Sequence, residues 1–220
     1  MKKKVIGLID SGSGNIGSIK KAILNVIENK PYQLKIITAK KDFNNIDKII
    51  LPGQGAFATL MENLHKKNLY THLLKLIKEL SVPYLGICVG MQILATYGYE
   101  NKKIKGLDII KGEIVKFKKK NLIVPHMGWN TIKIKNTNIV FDQTADLKDF
   151  YFVHSYYFKG VSSKNVTATT KYSNSFPSVV NTGNVYGVQF HPEKSFFLDE
   201  IELHIHCPCL LPKENYCYIW

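Results

Sequence analysis

Apolar residues follow two different rhythms in the first half of the chain, with turn-forming residues between them. Short unbroken apolar runs, which are typical of strands buried on both faces of a parallel sheet, occupy residues 4–9, 34–38, 47–51 and 83–87. Apolar residues at helical spacing follow three of these runs, at residues 16 to about 29, 57–80 with a break near Lys67-Asn68, and 90–97. This alternation predicts a parallel sheet with helices on both faces.

The pattern changes after residue 98, where helical spacing gives way to shorter strand-like segments. Strands are predicted at residues 110–118, 131–135, 150–158, 166–172 and 178–190, the last interrupted by a hairpin turn at residues 181–184. The predicted fold class is therefore α/β: a mixed, mostly parallel sheet flanked by helices, with added antiparallel strands in the second half. The 220 residues suit one domain.

The composition is that of a globular chain. With 45% hydrophobic residues it can bury a full core, which excludes global disorder. No apolar run approaches the ~20 residues that span a bilayer, and the run after Met1 is too short for a signal peptide. Cys88 stands alone, and the other three cysteines crowd residues 207–217, which is not a secreted disulfide framework. We expect a cytoplasmic protein without a membrane partner.

The chain carries a formal net charge of +13, and all 30 of its basic residues are lysines. So basic a chain raises nucleic-acid binding as a hypothesis. Phosphate and base recognition lean on arginine, however, and the lysines here are scattered in short groups along the sequence. We therefore expect solvated surface lysines and no nucleic-acid partner, with an anionic partner or substrate surface as the alternative.

A cysteine lies where a predicted strand meets a predicted helix. Residues 86–90 read G-x-C-x-G around Cys88, which is the layout of a nucleophile elbow with sulfur in place of the serine oxygen. Such a turn projects the nucleophile at the carboxyl end of the sheet, and the helix N-terminus favours the thiolate. The amide of Val89 is then placed to donate to an oxyanion. A buried structural cysteine in a strand–helix turn is the alternative.

A histidine and a glutamate follow the last predicted strand. Residues i and i+2 of an extended chain point to the same side, so Glu193 is placed to orient His191. A base held by a carboxylate and facing a thiol is the logic of a catalytic triad. The alternative is a structural histidine at a strand end.

Several segments together resemble the class I (triad) glutamine amidotransferases. Residues 86–92 (GICVGMQ) and 187–193 (GVQFHPE) resemble the paired signatures of that family. Four further segments resemble the glutaminase subunits of imidazole glycerol phosphate synthases: residues 10–15 (DSGSGN), 51–55 (LPGQG), 125–130 (PHMGWN) and 151–156 (YFVHSY). The resemblance runs from about residue 4 to residue 195, which we take as the amidotransferase domain, 1–195.

The resemblance implies a reaction and its catalytic residues. Cys88 is expected to attack the side-chain amide of L-glutamine, His191 to protonate the leaving ammonia, and Glu193 to orient His191. Val89 and the turn containing Gly53 and Gly55 are implied as the oxyanion donors and their gate.

The resemblance also implies how glutamine is held. Gln92 and Glu100 are expected to bind it through their side chains, with backbone groups of Gly53 and Gly55 and others around Ser155 and Tyr156. Gln54 departs from the small apolar residue that is more common in the family at that position, which leaves the gating equilibrium open.

A chain that makes ammonia needs an acceptor, and the resemblance implies a heterodimer with a (β/α)₈ cyclase subunit. That partner would convert a phosphorylated ribulosyl-aminoimidazole intermediate into imidazole glycerol phosphate and an aminoimidazole carboxamide ribotide, in histidine biosynthesis. The implied interface includes Asn15, Trp129 and Lys194. A paralogue that supplies a different acceptor, such as a sugar-modifying enzyme, and an inactive binding subunit remain alternatives.

The resemblance stops after Ser195, so residues 196–220 are predicted to form an atypical C-terminal tail of the same domain. Soft metal ligands occur there at His204, His206, Cys207 and Cys209. Their spacing is too tight for one tetrahedral site, so the sequence predicts no metal site and no cofactor.

Overall fold

The computed structural model describes residues 3–12, 15–118, 122–136 and 148–194 of the 220-residue chain. The predicted domain end at residue 195, the tail 196–220 and its candidate metal ligands lie outside these residues. Within the described ranges, no helix is long and apolar enough to cross a membrane.

Fourteen strands occur in the described ranges: β1 (Lys4–Ile9), β2 (Tyr32–Ile37), β3 (Lys48–Gly53), β4 (Tyr84–Cys88), β5 (Tyr97–Gly98), β6 (Ile104–Lys105), β7 (Glu113–Lys116), β8 (His126–Thr131), β9 (Lys133–Ile134), β10 (Asp149–His154), β11 (Tyr156–Lys159), β12 (Val166–Lys171), β13 (Ser175–Thr182) and β14 (Val185–Val188). An eight-stranded sheet has the order β2-β1-β3-β4-β14-β13-β12-β9. Its β2-to-β14 part is parallel and the rest antiparallel, which confirms the predicted fold class.

The helices are α1 (Ile16–Ile27), α2 (Phe57–Lys66), α3 (Tyr70–Lys78) and the short α4 (Val89–Gln92) in the part of the chain that is described. The predicted break between α2 and α3 is confirmed: Asn68 has a φ of 54°, a left-handed conformation that ends a helix. The predicted helix at 90–97 is wrong in length. It ends at Gln92, and β5 begins at Tyr97.

The second half contains more strands than predicted, and two smaller sheets take them up. The predicted strand 150–158 is two strands, β10 and β11, which Ser155 separates. β10 pairs with β8, whereas β11 joins β7, β5 and β6 in a four-stranded sheet. The predicted hairpin is confirmed, since β13 and β14 pair antiparallel up to Thr182 and Val185.

Three neighbouring parallel strands bring the predicted chemistry to one edge of the large sheet. Gly53 at the end of β3 is in register with Cys88 at the end of β4, and β14 pairs with β4 on its other side as far as Val188 and Ile87. All three carboxyl ends therefore open at the same edge, where open α/β folds bind ligands. Phe150 of β10 stacks on Phe190 with ring centroids 4.1 Å apart, which fixes the chain that continues from β14.

Candidate active site

Cys88 ends β4 and caps α4 in a strained backbone conformation. Its φ is 55° and its ψ is −109°, a region that a residue with a side chain rarely occupies and that clusters at functional sites. Two glycines permit the turn. A Cβ on Gly86 would overlap the backbone of Gly90, and one on Gly90 would overlap the carbonyl of Leu51. The predicted strand-to-helix turn at Cys88 is therefore present.

A pocket of about 450 Å³ opens at this turn. Its wall comes from the turn at residues 53–55 (called the oxyanion turn below, after its predicted role), the elbow at residues 86–90, β10, the segment joining β10 to β11 and the 191–194 segment. The lining residues are Gln54, Gly55, Cys88, Val89, Gln92, Glu100, Pro125, Val153, His154, Ser155, Tyr156, His191 and Lys194. Cys88 itself is only 4% exposed, so the pocket presents a sulfur largely shielded from water.

His191 is held from both its backbone and its ring. Its amide donates to the carbonyl of Tyr151 at 2.9 Å, which ties the chain after β14 to β10. Its Nδ1 lies 2.9 Å from Oε1 of Glu193, and the exposed fraction of each side chain is 2%. Because Nδ1 is used by the carboxylate, Nε2 is the ring nitrogen left for the sulfur.

The pKa of His191 is raised to about 9 by competing effects. Burial, the largest of them, disfavours the charged ring, but the hydrogen bonds and negative charges of Cys88 and Glu193 together outweigh it. The imidazole is therefore protonated at neutral pH, with an acidic group on either side. A charged imidazole beside a cysteine is the arrangement of a Cys–His nucleophile pair.

Gln92 and Gln189 meet beside Cys88. The amide nitrogen of Gln92 donates to the carbonyl of Tyr156 at 3.1 Å and to Oε1 of Gln189 at 3.0 Å. Nε2 of Gln189 in turn lies 3.6 Å from the sulfur of Cys88. Sequence reasoning missed Gln189, although it lies two residues before His191 and so has the strand spacing that was used for Glu193.

Glu100 lines the pocket and also caps a helix. Its Oε2 accepts a hydrogen bond from the amide of Phe57 at 2.7 Å. Phe57 is the first residue of α2, and the first amides of a helix have no partner within it. Glu100 therefore joins the pocket to the start of the helix that follows the oxyanion turn.

One residue of the oxyanion turn belongs to the sheet, and the next two line the pocket. Gly53 is buried in register with Cys88 and is absent from the pocket lining, whereas Gln54 and Gly55 line it. Gly55 has a φ of 89°, which favours glycine. Val89, the residue after Cys88, lines the pocket as well.

Ser155 and Tyr156 line the pocket as predicted, and a pair of neutral histidines lies behind them. Nδ1 of His154 lies 2.8 Å from the carbonyl of Tyr156, and its Nε2 lies 3.0 Å from Nδ1 of His126. Burial lowers the pKa of His126 to about 4. Burial, opposed by the bond to Tyr156, lowers the pKa of His154 to about 3. Beyond the motif letters, no pattern in the chain indicated this pair.

Two of the three predicted interface residues lie against the ring of Tyr151, and one of them, Lys194, lines the pocket. Trp129 is 41% exposed and packs edge-on against Tyr151, with ring centroids 6.0 Å apart. Nζ of Lys194 lies 5.2 Å from the centre of the same ring. Asn15 is placed differently: it caps α1 by accepting from the amide of Ser18, and α1 packs against the Pro192–Lys194 turn. Asn15 does not line the pocket.

Among the described residues, no three His, Cys, Asp or Glu side chains are grouped closely enough to hold a metal ion.

Comparison with known protein families gives one match over most of the chain. The model of the family "glutamine amidotransferase class-I" matches residues 8–202. A protein of Methanocaldococcus jannaschii named imidazole glycerol phosphate synthase subunit HisH is 44% identical over 194 residues, which cover 87% of this chain and 92% of the relative. Subunit HisH 2 of Methanococcus maripaludis is 43% identical over 192 residues, covering 87% of this chain and 93% of the relative.

Solved structures share the fold at lower identity. A putative GMP synthase subunit from Thermoplasma acidophilum superposes with a TM-score of 0.68 at 17% identity, covering 95% of each chain. A glutamine amidotransferase from Thermotoga maritima gives a TM-score of 0.62 at 16% identity, covering 88% of this chain and 77% of the other. At such identities the likeness concerns the fold alone.

Proposed function

This chain belongs to the class-I glutamine amidotransferases, and we propose that Cys88, His191 and Glu193 form the triad with which it hydrolyses glutamine. The observation that carries this assignment is the buried His191–Glu193 pair, which faces a cysteine on a strained elbow. The chain is the glutaminase subunit of an imidazole glycerol phosphate synthase and acts in histidine biosynthesis. The names of its relatives do not favour a different acceptor.

The reaction follows from the charges in the site. The Cys88 thiolate attacks the side-chain carbonyl carbon of glutamine, and the C–N bond breaks as Nε2–H of His191 protonates the leaving nitrogen. Ammonia and a glutamyl thioester result. Water, deprotonated by the now neutral His191, attacks the thioester and gives glutamate and the free cysteine. Glu193 holds the ring throughout and stabilises its charged form.

The tetrahedral intermediates need donors for their oxyanion. The amide of Val89, at the start of α4, is one donor, as in other nucleophile elbows. The turn at Gln54 and Gly55, which also lines the pocket, supplies or gates the second. Because a backbone amide is the donor, the Gln54 side chain leaves that chemistry intact.

Glutamine is held by side chains and backbone groups that line the rest of the pocket. Glu100 offers its charge to the substrate's α-ammonium group, and backbone groups of Ser155 and Tyr156 complete the pocket. Gln92 has both amide hydrogens in use, so its carbonyl oxygen is the atom that remains for a substrate N–H group. These assignments match the residue types to the charged and polar ends of an amino acid.

The partner is a (β/α)₈ cyclase that takes the ammonia, in a cytoplasmic heterodimer. Ammonia released into water is protonated and lost, so a face at the pocket mouth must dock the acceptor enzyme. The exposed Trp129, its neighbour Tyr151 and Lys194 form such a face, and large aromatic residues are common interface anchors. Asn15, at the start of α1, would lie at its edge.

The decisive experiment pairs the chain with the cyclase subunit of the same organism. Wild type should support cyclisation with either glutamine or ammonium salt as the nitrogen source. Cys88→Ala should keep the ammonium-dependent reaction and lose the glutamine-dependent one. Undiminished glutamine turnover in Cys88→Ala would refute the triad, and failure to rescue a histidine auxotroph would refute the pathway.

A further inference from the structure

One backbone carbonyl fixes the direction of a series of hydrogen bonds next to Cys88. The carbonyl of Tyr156 can only accept, and two side chains approach it: Nε2 of Gln92 at 3.1 Å and Nδ1 of His154 at 2.8 Å. A glutamine amide has an acceptor oxygen and a donor nitrogen, so a group that can only accept decides which end faces it. The Gln92 amide must turn its nitrogen to Tyr156, and His154 must carry its proton on Nδ1.

The series Gln92–Gln189–Cys88, which we call the inner arm, then has a single direction of hydrogen-bond donation. The second hydrogen of the Gln92 amide points to Gln189 at 3.0 Å, so the Gln189 atom that receives it must be the carbonyl oxygen. Gln189 is fully buried, and its remaining end, the NH₂ group, lies 3.6 Å from the sulfur of Cys88. An amide nitrogen at this distance from sulfur is a donor, since it has no lone pair to offer.

We propose that Gln189 is a further catalytic residue, whose side-chain N–H donates to the Cys88 sulfur in an orientation that Gln92 and the carbonyl of Tyr156 impose. This inference rests on the glutaminase function and deepens it. His191 meets the sulfur with a charge, whereas Gln189 meets it with a neutral dipole. The same N–H that stabilises the attacking thiolate also stabilises it as the leaving group when the thioester is hydrolysed.

A second series, from Asn130 through His126 and His154, ends at the same carbonyl of Tyr156, and we call it the outer arm. With its proton on Nδ1, His154 has Nε2 as an acceptor, so His126 must donate from its own Nδ1 at 3.0 Å. Nε2 of His126 is then an acceptor for the amide of Asn130, also at 3.0 Å. The second amide hydrogen of Asn130 points to the carbonyl of Lys171 at 3.1 Å. Every donor in this arm points toward the pocket, apart from that last bond.

The primary variant is Gln189→Met, which keeps the length of the side chain and removes the donor. Gln92→Met leaves Gln189 in place and removes the bond that orients it, together with the bond from Gln92 to the carbonyl of Tyr156. Gln33→Met, at an exposed glutamine on the edge strand β2, is the matched control. Thermal unfolding of each variant reports whether the fold is kept, and Gln92→Met carries the test if Gln189→Met does not fold.

The first readout is the ratio of thiolate to thiol at Cys88 at neutral pH, from ultraviolet thiolate absorbance with Cys88→Ala as the blank. A hydrogen bond to a charged group changes such a ratio by roughly 10- to 100-fold, so Gln189→Met should lower it by about that factor. Gln92→Met should lower it less, and the double variant should equal Gln189→Met because both act through one bond. The second readout is kcat/KM for glutamine in the complex with the cyclase.

The outcomes test the role of Gln189 separately from the glutaminase function. Wild-type glutamine hydrolysis in the complex tests the glutaminase function and does not depend on Gln189. A folded Gln189→Met with a thiolate ratio within about twofold of wild type would overturn the inference, even if kcat/KM falls, because the loss would then come from packing. A fall in both readouts, with Gln33→Met unchanged in both, is the expected result.

Discussion

Oε1 of Glu193 lies 2.9 Å from Nδ1 of His191, and both side chains are shielded from water. One residue separates the two in sequence, so their contact is local, and the Pro192–Lys194 turn holds the carboxylate at the ring. A buried carboxylate is stabilised only where a positive charge or a donor meets it. The pair therefore has mutual support: the ring receives its orientation, and the carboxylate receives a proton donor.

Glu193→Gln should lower glutamine turnover and move the alkaline limb of its pH profile to lower pH. Glu193 is one of the groups that raise the pKa of His191 to about 9, so its removal lowers that pKa and the protonated ring is lost earlier as pH rises. An amide at this position also permits the wrong tautomer, and kcat should fall by roughly 10²- to 10⁴-fold. The pH dependence of kcat/KM in the complex measures both effects.

Glu62→Gln is the control for this substitution, because Glu62 is exposed and makes only a loose 4.0 Å contact with Lys102. It should leave the whole profile in place. An alkaline limb at the same pH in wild type and Glu193→Gln would mean that Glu193 does not set the charge of His191.

Gly90→Ala should disrupt the elbow and with it the fold. A Cβ at Gly90 would overlap the carbonyl of Leu51 on β3, a backbone atom that cannot swing away as a side-chain tip can. Overpacking of this kind costs about 1–3 kcal/mol and sometimes more, which is a large share of the stability of an ordinary domain. Thermal unfolding and soluble yield measure the loss.

Gly17→Ala provides the opposite expectation from the same chemical change. Gly17 is exposed in α1, and a Cβ there would meet only an atom of Asn15 at 3.9 Å. Alanine at a position without steric conflict stabilises by roughly 0.4–1 kcal/mol, because it restricts the unfolded chain more than glycine does, so this variant should melt slightly higher than wild type. Equal melting temperatures for the two alanine variants would contradict the crowding at Gly90.

The sequence predicted the parts of this site that depend on local pattern, and missed those that depend on distant pairing. The elbow at Cys88 and the Glu193–His191 spacing follow from strand and turn geometry, so they were accessible. α4 was predicted too long, because apolar residues 93–95 continue the helical spacing while in fact packing as a buried turn. Gln189 and His154 were missed because their partners, at positions 88, 92 and 126, are far away in sequence.

His126→Phe should make the protein less sensitive to acid. Burial lowers the pKa of His126 to about 4 from its ordinary value of 6.5, so between these values the unfolded chain binds a proton that the folded chain does not. Stability contributed by the neutral ring is present above pH 6.5 and lost as pH falls toward 4. His154, which faces His126 and His191, behaves in the same direction.

The phenylalanine ring keeps the stacking of His126 on Tyr172 and Phe152 but removes the bonds that His126 makes to the amide of Asn130 and to Nε2 of His154. We therefore expect a loss of about 1–3 kcal/mol at neutral pH together with a smaller further loss on acidification. Urea unfolding at pH 7 and at about pH 5 measures both. The exposed His65, which stacks on Tyr70, is the control for the ring replacement: His65→Phe should leave the free energy of unfolding at pH 7 near that of wild type.

Glu100 caps α2 and is proposed to hold the substrate by its charge, and two substitutions separate these roles. Glu100→Gln keeps a carbonyl oxygen for the amide of Phe57, which Oε2 now accepts at 2.7 Å, but removes the negative charge. It should raise KM for glutamine and leave the melting temperature near that of wild type.

Glu100→Ala removes both the acceptor oxygen and the charge, and loss of a helix-capping acceptor costs about 0.5–2 kcal/mol. It should therefore raise KM and also lower the melting temperature, because the start of α2 and the oxyanion turn before it lose their anchor. Equal melting temperatures for Glu100→Gln and Glu100→Ala would show that the bond to Phe57 does not support the helix. An unchanged KM in both would remove Glu100 from the glutamine site.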